Sequence, residues 1–489
     1  MSTTTAPQLT PVSLRHVVVV MLGFFALCLS WIITLPPFAG PDEPSNFVKA
    51  AALIRGDWVG EPIAADPMHS FWSTYPDIDE RFGTSQQAPW CFVGKPEAPA
   101  CDNPMEALPV VEPTRTQMGR YPPLGFLPAS LGTLIGATDR GASAARTTSA
   151  LACCGLLAAA ALLLQRRSRS LTPLLIAMSP GVIFMASVDS PSGVEITAAV
   201  LAWCAVWCAT AEGWSRTSTT AAFAVGAGVL VLARPAGIVA VIVMLVASAM
   251  ISHTALLHGL IRHWKYLLGF AGAVLLSAAW YVGVYDDNFG ITFDYEYRVA
   301  KFFTIASRTL ADLAVVKIGE SIGNYGWLDT PSPQPVIWFF VAATAVLAWR
   351  TTSTSTLRTR LALGIVVISV PAWAIALNVN YQDLLGTFGV QGRHLTPFLV
   401  GIPLIAVMHH TPRRSDRAVL TIAIALHAWC VMVALRRYSF GRVTDDWLGF
   451  LHSPVWTPPL GMTTSIALVA LLHVAAWFAL RQSAGRIEG

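Results

Sequence analysis

Charge is scarce in this chain: of 489 residues only 12% are Asp, Glu, Lys or Arg, against 54% hydrophobic. A soluble domain carries roughly 25% charged residues, so a water-soluble fold is excluded and a polytopic membrane protein is close to forced. Lysine is rarer still, because arginine supplies 27 of the 32 basic residues. Guanidinium suits planar binding of phosphate, yet no nucleic-acid module is recognisable. There is no internal repeat or low-complexity tract, which sets aside solenoid and collagen-like architectures. Cysteine is sparse, and six of the eight (Cys28, Cys153, Cys154, Cys204, Cys208, Cys430) fall inside apolar runs, where they read as small buried hydrophobes. Cys91 and Cys101 flank a Pro- and Gly-rich stretch in what is expected to be an oxidising outer loop, so a disulfide between them is expected.

Long apolar runs are what the chain has in abundance. Stretches able to cross the hydrocarbon core recur at 17–35, 143–164, 171–188, 193–211, 220–234, 236–252, 265–285, 336–349, 361–378, 395–409, 418–435 and 462–480. The expected fold is an all-α polytopic bundle of about twelve transmembrane helices. The first run lacks a small-residue cleavage site and leads into Pro36-Pro37, so it is expected to stay as an uncleaved span. Short basic loops follow the second, sixth, eighth and tenth spans: Arg166, Arg167 and Arg169, then Arg262 and Lys265, then Arg350, Arg358 and Arg360, then Arg413, Arg414 and Arg417. The positive-inside rule then puts both termini in the cytoplasm of a bacterial plasma membrane. Arg436 and Arg437, at an outer end, run against it.

This topology divides the chain into a cytoplasmic tail (1–16), the first span (17–35), a large extracytoplasmic loop with interfacial helices (36–142), a transmembrane bundle (143–285), a second large outer segment (286–335), a further bundle (336–480) and a cytoplasmic tail (481–489). Loop one is far longer than an ordinary connection and so is expected to have a task. Its PSNFVKAAALIRGDW segment has Pro44 suited to a first helical turn and Gly56 at the end. A proline-broken piece, YPPLGFLPASLGTLIG (121–136), is placed on the outer surface, as is a helix from Tyr297 to Lys317.

Pro41-Asp42-Glu43-Pro44 stands just past the first span. Two readings stay open for the acidic pair: a cap that complements the following helix, and a carboxylate ready to take a proton. Arg393, in Gln391-Gly392-Arg393-His394, is the leading candidate for an anionic group, with His394 assisting and Arg234 second. The plain alternative for Arg393 is an interfacial arginine reaching lipid headgroups. Asp189 and Glu195 stand at an outer turn and could orient an acceptor or, with Asp42, leave room for a divalent cation, although two isolated acids do not define a metal site. Tyr121, Trp327, Asp329 and Gln391 are candidates for sugar contacts, set against the aromatic belt. His69, His409 and His410 show no ligand spacing. His253, His258 and His263 read as a cytoplasmic interfacial face.

Four blocks, PDEPSNF, YPPLGFLPASLG, GNYGWLDTPSP and GVQGRHLTP, occur in order across nearly the whole chain and resemble a bacterial family of polytopic proteins of unassigned function grouped with the GT-C glycosyltransferases. Phe47 stands where that pattern has histidine, and His394 where it has an aromatic residue. The resemblance implies a GT-C-like bundle, a polyprenyl-phosphate sugar as donor, an acidic base in the first outer loop and inversion at the anomeric carbon. Asp42 is the expected base and Glu43 its partner. Physical reasoning agrees, since a sugar donor on the outer face must be membrane-borne, and displacement of phosphate needs a proton acceptor and a cation on opposite sides of the sugar. The expected partners are that donor, a glycan or lipid-linked acceptor, and membrane lipids. The rival classes are a transporter or flippase of lipid-linked sugars, which would place polar groups near the midplane, and a noncatalytic scaffold.

Overall fold

The computed structural model describes residues 13–63, 72–110, 113–234, 236–285, 295–409, 413, 415–442 and 446–484. The tails 1–12 and 485–489, His69, His410, Arg414, Pro235 and the pair Asp286-Asp287 lie outside them. The first apolar run forms α1 (Leu14–Ile32), capped by the Ser13 side chain. Pro44 falls in the first turn of α2 (Glu43–Ile54), and the helix stops just before Gly56. Beyond it three two-residue strands, β1 (Glu61–Pro62), β2 (Ser73–Thr74) and β3 (Arg115–Thr116), pair antiparallel, with Glu61 opposite Thr74 and Ser73 opposite Thr116. The PPLG segment becomes two 3-10 turns around α3 (Leu127–Gly132).

The rest is helical. In chain order come α4 (Asp139–Arg166), α5 (Thr172–Ala177), α6 (Pro180–Ser187), α7 (Pro191–Ala211), α8 (Thr217–Ala233), α9 (Gly237–Arg262) and α10 (Trp264–Trp280), which runs into a π turn. They are followed by α11 (Tyr295–Asp312) and α12 (Ile318–Gly323), and by the hairpin of β4 (Asn324–Tyr325) and β5 (Thr330–Pro331). The last group is α13 (Gln334–Ser353), α14 (Leu357–Leu385), α15 (Gly392–Leu399), α16 (Gly401–Leu404), α17 (Ser415–Phe440), α18 (Gly449–His452) and α19 (Met462–Ala484).

Among the described residues nine helices, α1, α4, α7, α9, α10, α13, α14, α17 and α19, are long and apolar enough to cross a membrane. The other three expected spans are helical but shorter or broken. Run 171–188 divides into α5 and α6 because Pro173 and Pro180 each open a helix, with Ser179 extended between them. Run 395–409 divides at Val400, between α15 and α16, and again after Leu404, where a 3-10 turn takes over, and α8 has 17 residues. Run 236–252 instead continues to Arg262 through a kink at Ser252, carrying His253 and His258. Helix α7 is the buried axis, 94% of its apolar window lying inside the protein.

Contacts sort the helix ends into two faces. At one, His16 meets Gln165 at 2.9 Å, Arg169 donates to the Met408 carbonyl at 2.8 Å, and Asp416 accepts from Ser170 and Thr172. At the other, Trp327 donates to the Phe38 carbonyl, and the Arg437 guanidinium grips the Ala98, Phe92 and Lys95 carbonyls and the Asp329 carboxylate, 2.6 Å away. The charge on Arg437 is thus neutralised inside the protein. Its place at that helix end is set by Asp329 and by the loop carbonyls. Cys91 and Cys101 are joined by a disulfide that closes the loop carrying Phe92, Lys95 and Ala98.

Candidate active site

Helix α2 aims the site, and a buried clasp holds the start of α2. The Glu43 carboxylate accepts from Arg146 Nε (2.6 Å), Arg146 Nη2 (2.7 Å), the Gly40 N–H (2.8 Å) and the Asp189 N–H (3.0 Å). Arg146 also donates to the Leu35 and Pro36 carbonyls, and both side chains are 2% exposed. Opposite charges at this burial need such full hydrogen bonding to offset desolvation. Glu43 therefore has no oxygen left for a substrate, and its expected role as catalytic partner is corrected to one of fixing the turn. Arg146, a charge within the run 143–164, carried a sequence signal of its own as an intramembrane ion, one that the motif reading passed over.

The neighbouring residue is more open to solvent. Asp42 sits at φ 59°, ψ 10°, a left-handed conformation that costs a non-glycine residue about 1–3 kcal/mol, and its side chain makes no capping bond to α2. The cap reading is thereby set aside at Asp42. Its carboxylate points instead to Arg393, with Oδ2 2.5 Å from Nη2, while Arg393 Nη1 reaches the Pro41 carbonyl at 3.3 Å. The Asp42 side chain is 31% exposed and that of Arg393 9%. Sequence reasoning set these two on opposite sides of a sugar. The fold puts them in contact, as opposite charges in a low-dielectric boundary attract strongly.

Around this pair the late motif packs tightly. Gly392 opens α15 against α12: a Cβ there would fall 2.4 Å from the Ser321 nitrogen and 2.5 Å from the Glu320 carbonyl carbon. The Gly392 N–H donates to Glu320 at 3.0 Å, and Glu320 is paired with Lys317 at 3.0 Å. The Gln391 N–H donates to His394 Nδ1 at 3.2 Å, which leaves the ring proton of a neutral imidazole on Nε2. His394 is buried with its ring stacked on Tyr381, centroids 6.4 Å apart. Two buried polar atoms here have no partner among the described residues, Arg393 Nε and Gln391 Oε1. Tyr381, Glu320 and Lys317 had no motif to announce them.

Arg234 follows α8 and pairs with Glu195 (3.5 Å) and Ser192 (2.8 Å) on α7. Its guanidinium lies 5.9 Å from the Tyr121 ring centre. Gly125 permits that approach, since a Cβ there would meet Pro191 at 2.7 Å and the Ala233 carbonyl at 2.9 Å. Four further expectations are corrected. Asp189 is buried; burial first, and the Glu43 carboxylate second, hold its carboxyl well above the usual range. Lying off the surface, it does not reach an acceptor or a cation at the outer boundary, and its main-chain carbonyl accepts from Asn46 Nδ2 at 2.7 Å. Glu195 is buried and neutralises Arg234. Trp327 and Asp329 spend their hydrogen-bonding groups on Phe38 and on Arg437, so they build the wall of the site. No three His, Cys, Asp or Glu side chains converge among the described residues.

No curated protein matches the chain. Two crystal structures of ArnT from Cupriavidus metallidurans are similar at 16% identity, one in the apo state (TM-score 0.43) and one bound to undecaprenyl phosphate (TM-score 0.42), each likeness covering 95% of this chain and 77% of that one. The model of a predicted membrane protein family, DUF2142, matches residues 24–402, a span that contains both Asp42 and Arg393. This chain belongs to that family.

Proposed function

We propose that the protein is an inverting glycosyltransferase of GT-C type, transferring a sugar from a polyprenyl-phosphate donor to a cell-envelope glycan or lipid-linked acceptor at the extracytoplasmic face. The observation that carries this reading is the contact between Asp42 and Arg393, a partly open carboxylate and a guanidinium with an unspent Nε, brought together from opposite ends of the chain. Arg393 turns from Asp42 to the donor phosphate as the sugar enters between them. Asp42 takes the proton from the acceptor hydroxyl, the hydroxyl oxygen bonds to the anomeric carbon, and the bond from that carbon to the phosphate oxygen breaks with its electron pair on the phosphate. Arg393, with Arg234 behind it, offsets the charge on the departing lipid phosphate.

An apolar cavity of about 270 Å³ supports a lipid-borne donor. It is lined by residues that include Ile176, Ile322, Phe340, Leu399, Ser321 and Thr396. The last two donate to the Gly392 carbonyl, so the cavity ends one residue from Arg393. The test is to incubate the purified protein in lipid with a panel of polyprenyl-phosphate sugars and follow released polyprenyl phosphate and a mass-shifted acceptor. Asp42→Asn should lower transfer by about 10²–10⁴-fold with donor binding retained, and a fully active variant removes Asp42 from this role. Movement of the donor across the bilayer without bond cleavage would make the protein a flippase; neither movement nor cleavage would leave a noncatalytic scaffold. EDTA separates an arginine-only site from one that also recruits a divalent cation.

A further inference from the structure

At the face opposite Asp42 lies a cavity of about 820 Å³, lined by Arg169, Arg358 and His409, by Thr210, Thr356 and Thr359, and by the apolar residues Ala211, Ile251, Leu357 and Met408. Its acid balance is one-sided. Among the described residues no carboxylate lines it, and the two described acids nearest in sequence are turned elsewhere, Glu212 to Arg167 and Asp416 to Ser170 and Thr172. Arg169 is held at the wall by its bond to the Met408 carbonyl (2.8 Å) and, like Arg358, pairs with no carboxylate among the described residues. The cavity also receives the first turn of the 29-residue helix α14, where the Thr356 hydroxyl accepts from the Thr359 N–H, so the positive end of that helix dipole adds to the arginines.

We propose that this cavity binds an anionic phospholipid, with its phosphate held by Arg169 and Arg358 beside His409 and its acyl chains running along Leu357 and Ile251. Charge complementarity selects an anion, and the apolar wall selects a lipid over a soluble phosphate. Leu357 is 68% exposed and continues the lipid-facing surface of α14, and Leu257 and Ile261, 55% and 73% exposed, do the same on α9 beyond its kink. A basic pocket between helix ends is the geometry that gathers anionic headgroups, at about 1 kcal/mol for each nearby arginine, or roughly fivefold in affinity.

The site is independent of the chemistry proposed at Asp42, and its test reads binding alone. The full-length protein, purified in detergent, is given phosphatidylglycerol, phosphatidylcholine, glycerol 1-phosphate or inorganic phosphate, and retention is followed by native mass spectrometry together with the shift in melting temperature. Phosphatidylglycerol should be retained about tenfold over phosphatidylcholine, with neither soluble phosphate retained. Arg358→Gln, at an exposed position that leaves packing intact, should remove roughly fivefold of that preference, and Arg169→Gln at least as much. Equal retention of the two lipids, or a preference unchanged in Arg358→Gln, overturns the proposal. Retention of glycerol 1-phosphate without lipid overturns it in favour of a soluble phosphate.

Discussion

Two adjacent acids that a sequence cannot tell apart have opposite fates in this protein. Glu43 is locked by four donors and Asp42 is left with one cation and access to solvent. The difference arises from the left-handed turn at Asp42, which rotates consecutive side chains to opposite sides of the start of α2. Glu43→Gln, which leaves Arg146 buried without its counter-charge, is expected to cost about 3–5 kcal/mol, read as a lowered melting temperature in detergent. Asp189→Asn, replacing a buried carboxyl that forms no ion pair among the described residues, is expected to shift stability by under about 1.5 kcal/mol. If the two variants melt alike, the clasp assignment is wrong. The motif blocks around Asp42 and Arg393 were legible, and their contact was not. That Glu43, Asp329 and Asp189 serve the scaffold was not, because their partners Arg146, Arg437 and Asn46 lie far off in sequence or outside the readable motif roles.

Helices are where the sequence spoke most clearly. Proline at the start of α2 and glycine after its end gave the element almost residue by residue, whereas the prolines inside runs 171–188 and 395–409 converted continuous hydropathy into broken helices. Helix α15 depends on close approach at its first residue. Gly392→Ala would force a Cβ into the backbone of α12 at 2.4 Å, so it is expected to cost about 1–3 kcal/mol and to weaken donor binding by displacing Arg393; unchanged donor affinity would detach Arg393 from that surface. Helix α2 carries a buried lysine, Lys49, whose Nζ donates to the Trp58 and Gly119 carbonyls and to Tyr75. Burial pulls its pKa down to about 7, partly offset by Asp57. The unfolded chain keeps that proton to about pH 10.4, so between these values the unfolded state binds more protons and stability rises with pH. Melting temperatures taken from pH 7 to 9 should climb in the native protein and climb less in Lys49→Met.

For the molecule as a whole, the disulfide and Arg437 act as one clamp: the bridge closes a loop with a sequence separation of 10 whose carbonyls surround the guanidinium, and Arg437 carries that loop to Asp329. A Cys91→Ser, Cys101→Ser double variant is expected to lose about 2–3 kcal/mol, with protease cleavage appearing between residues 91 and 101; identical melting and protection would show that Arg437 alone suffices. The amino-acid sequence by itself determined that this is a membrane protein with helical spans, because apolar runs of about 20 residues cross the hydrocarbon only as helices that satisfy their own backbone hydrogen bonds. Tertiary structure alone decided which charges are locked by buried partners and which stay open to water. An ion's role is set by how many donors surround it and how much water reaches it, and at Asp42 those neighbours come from Arg393, 351 residues away along the chain.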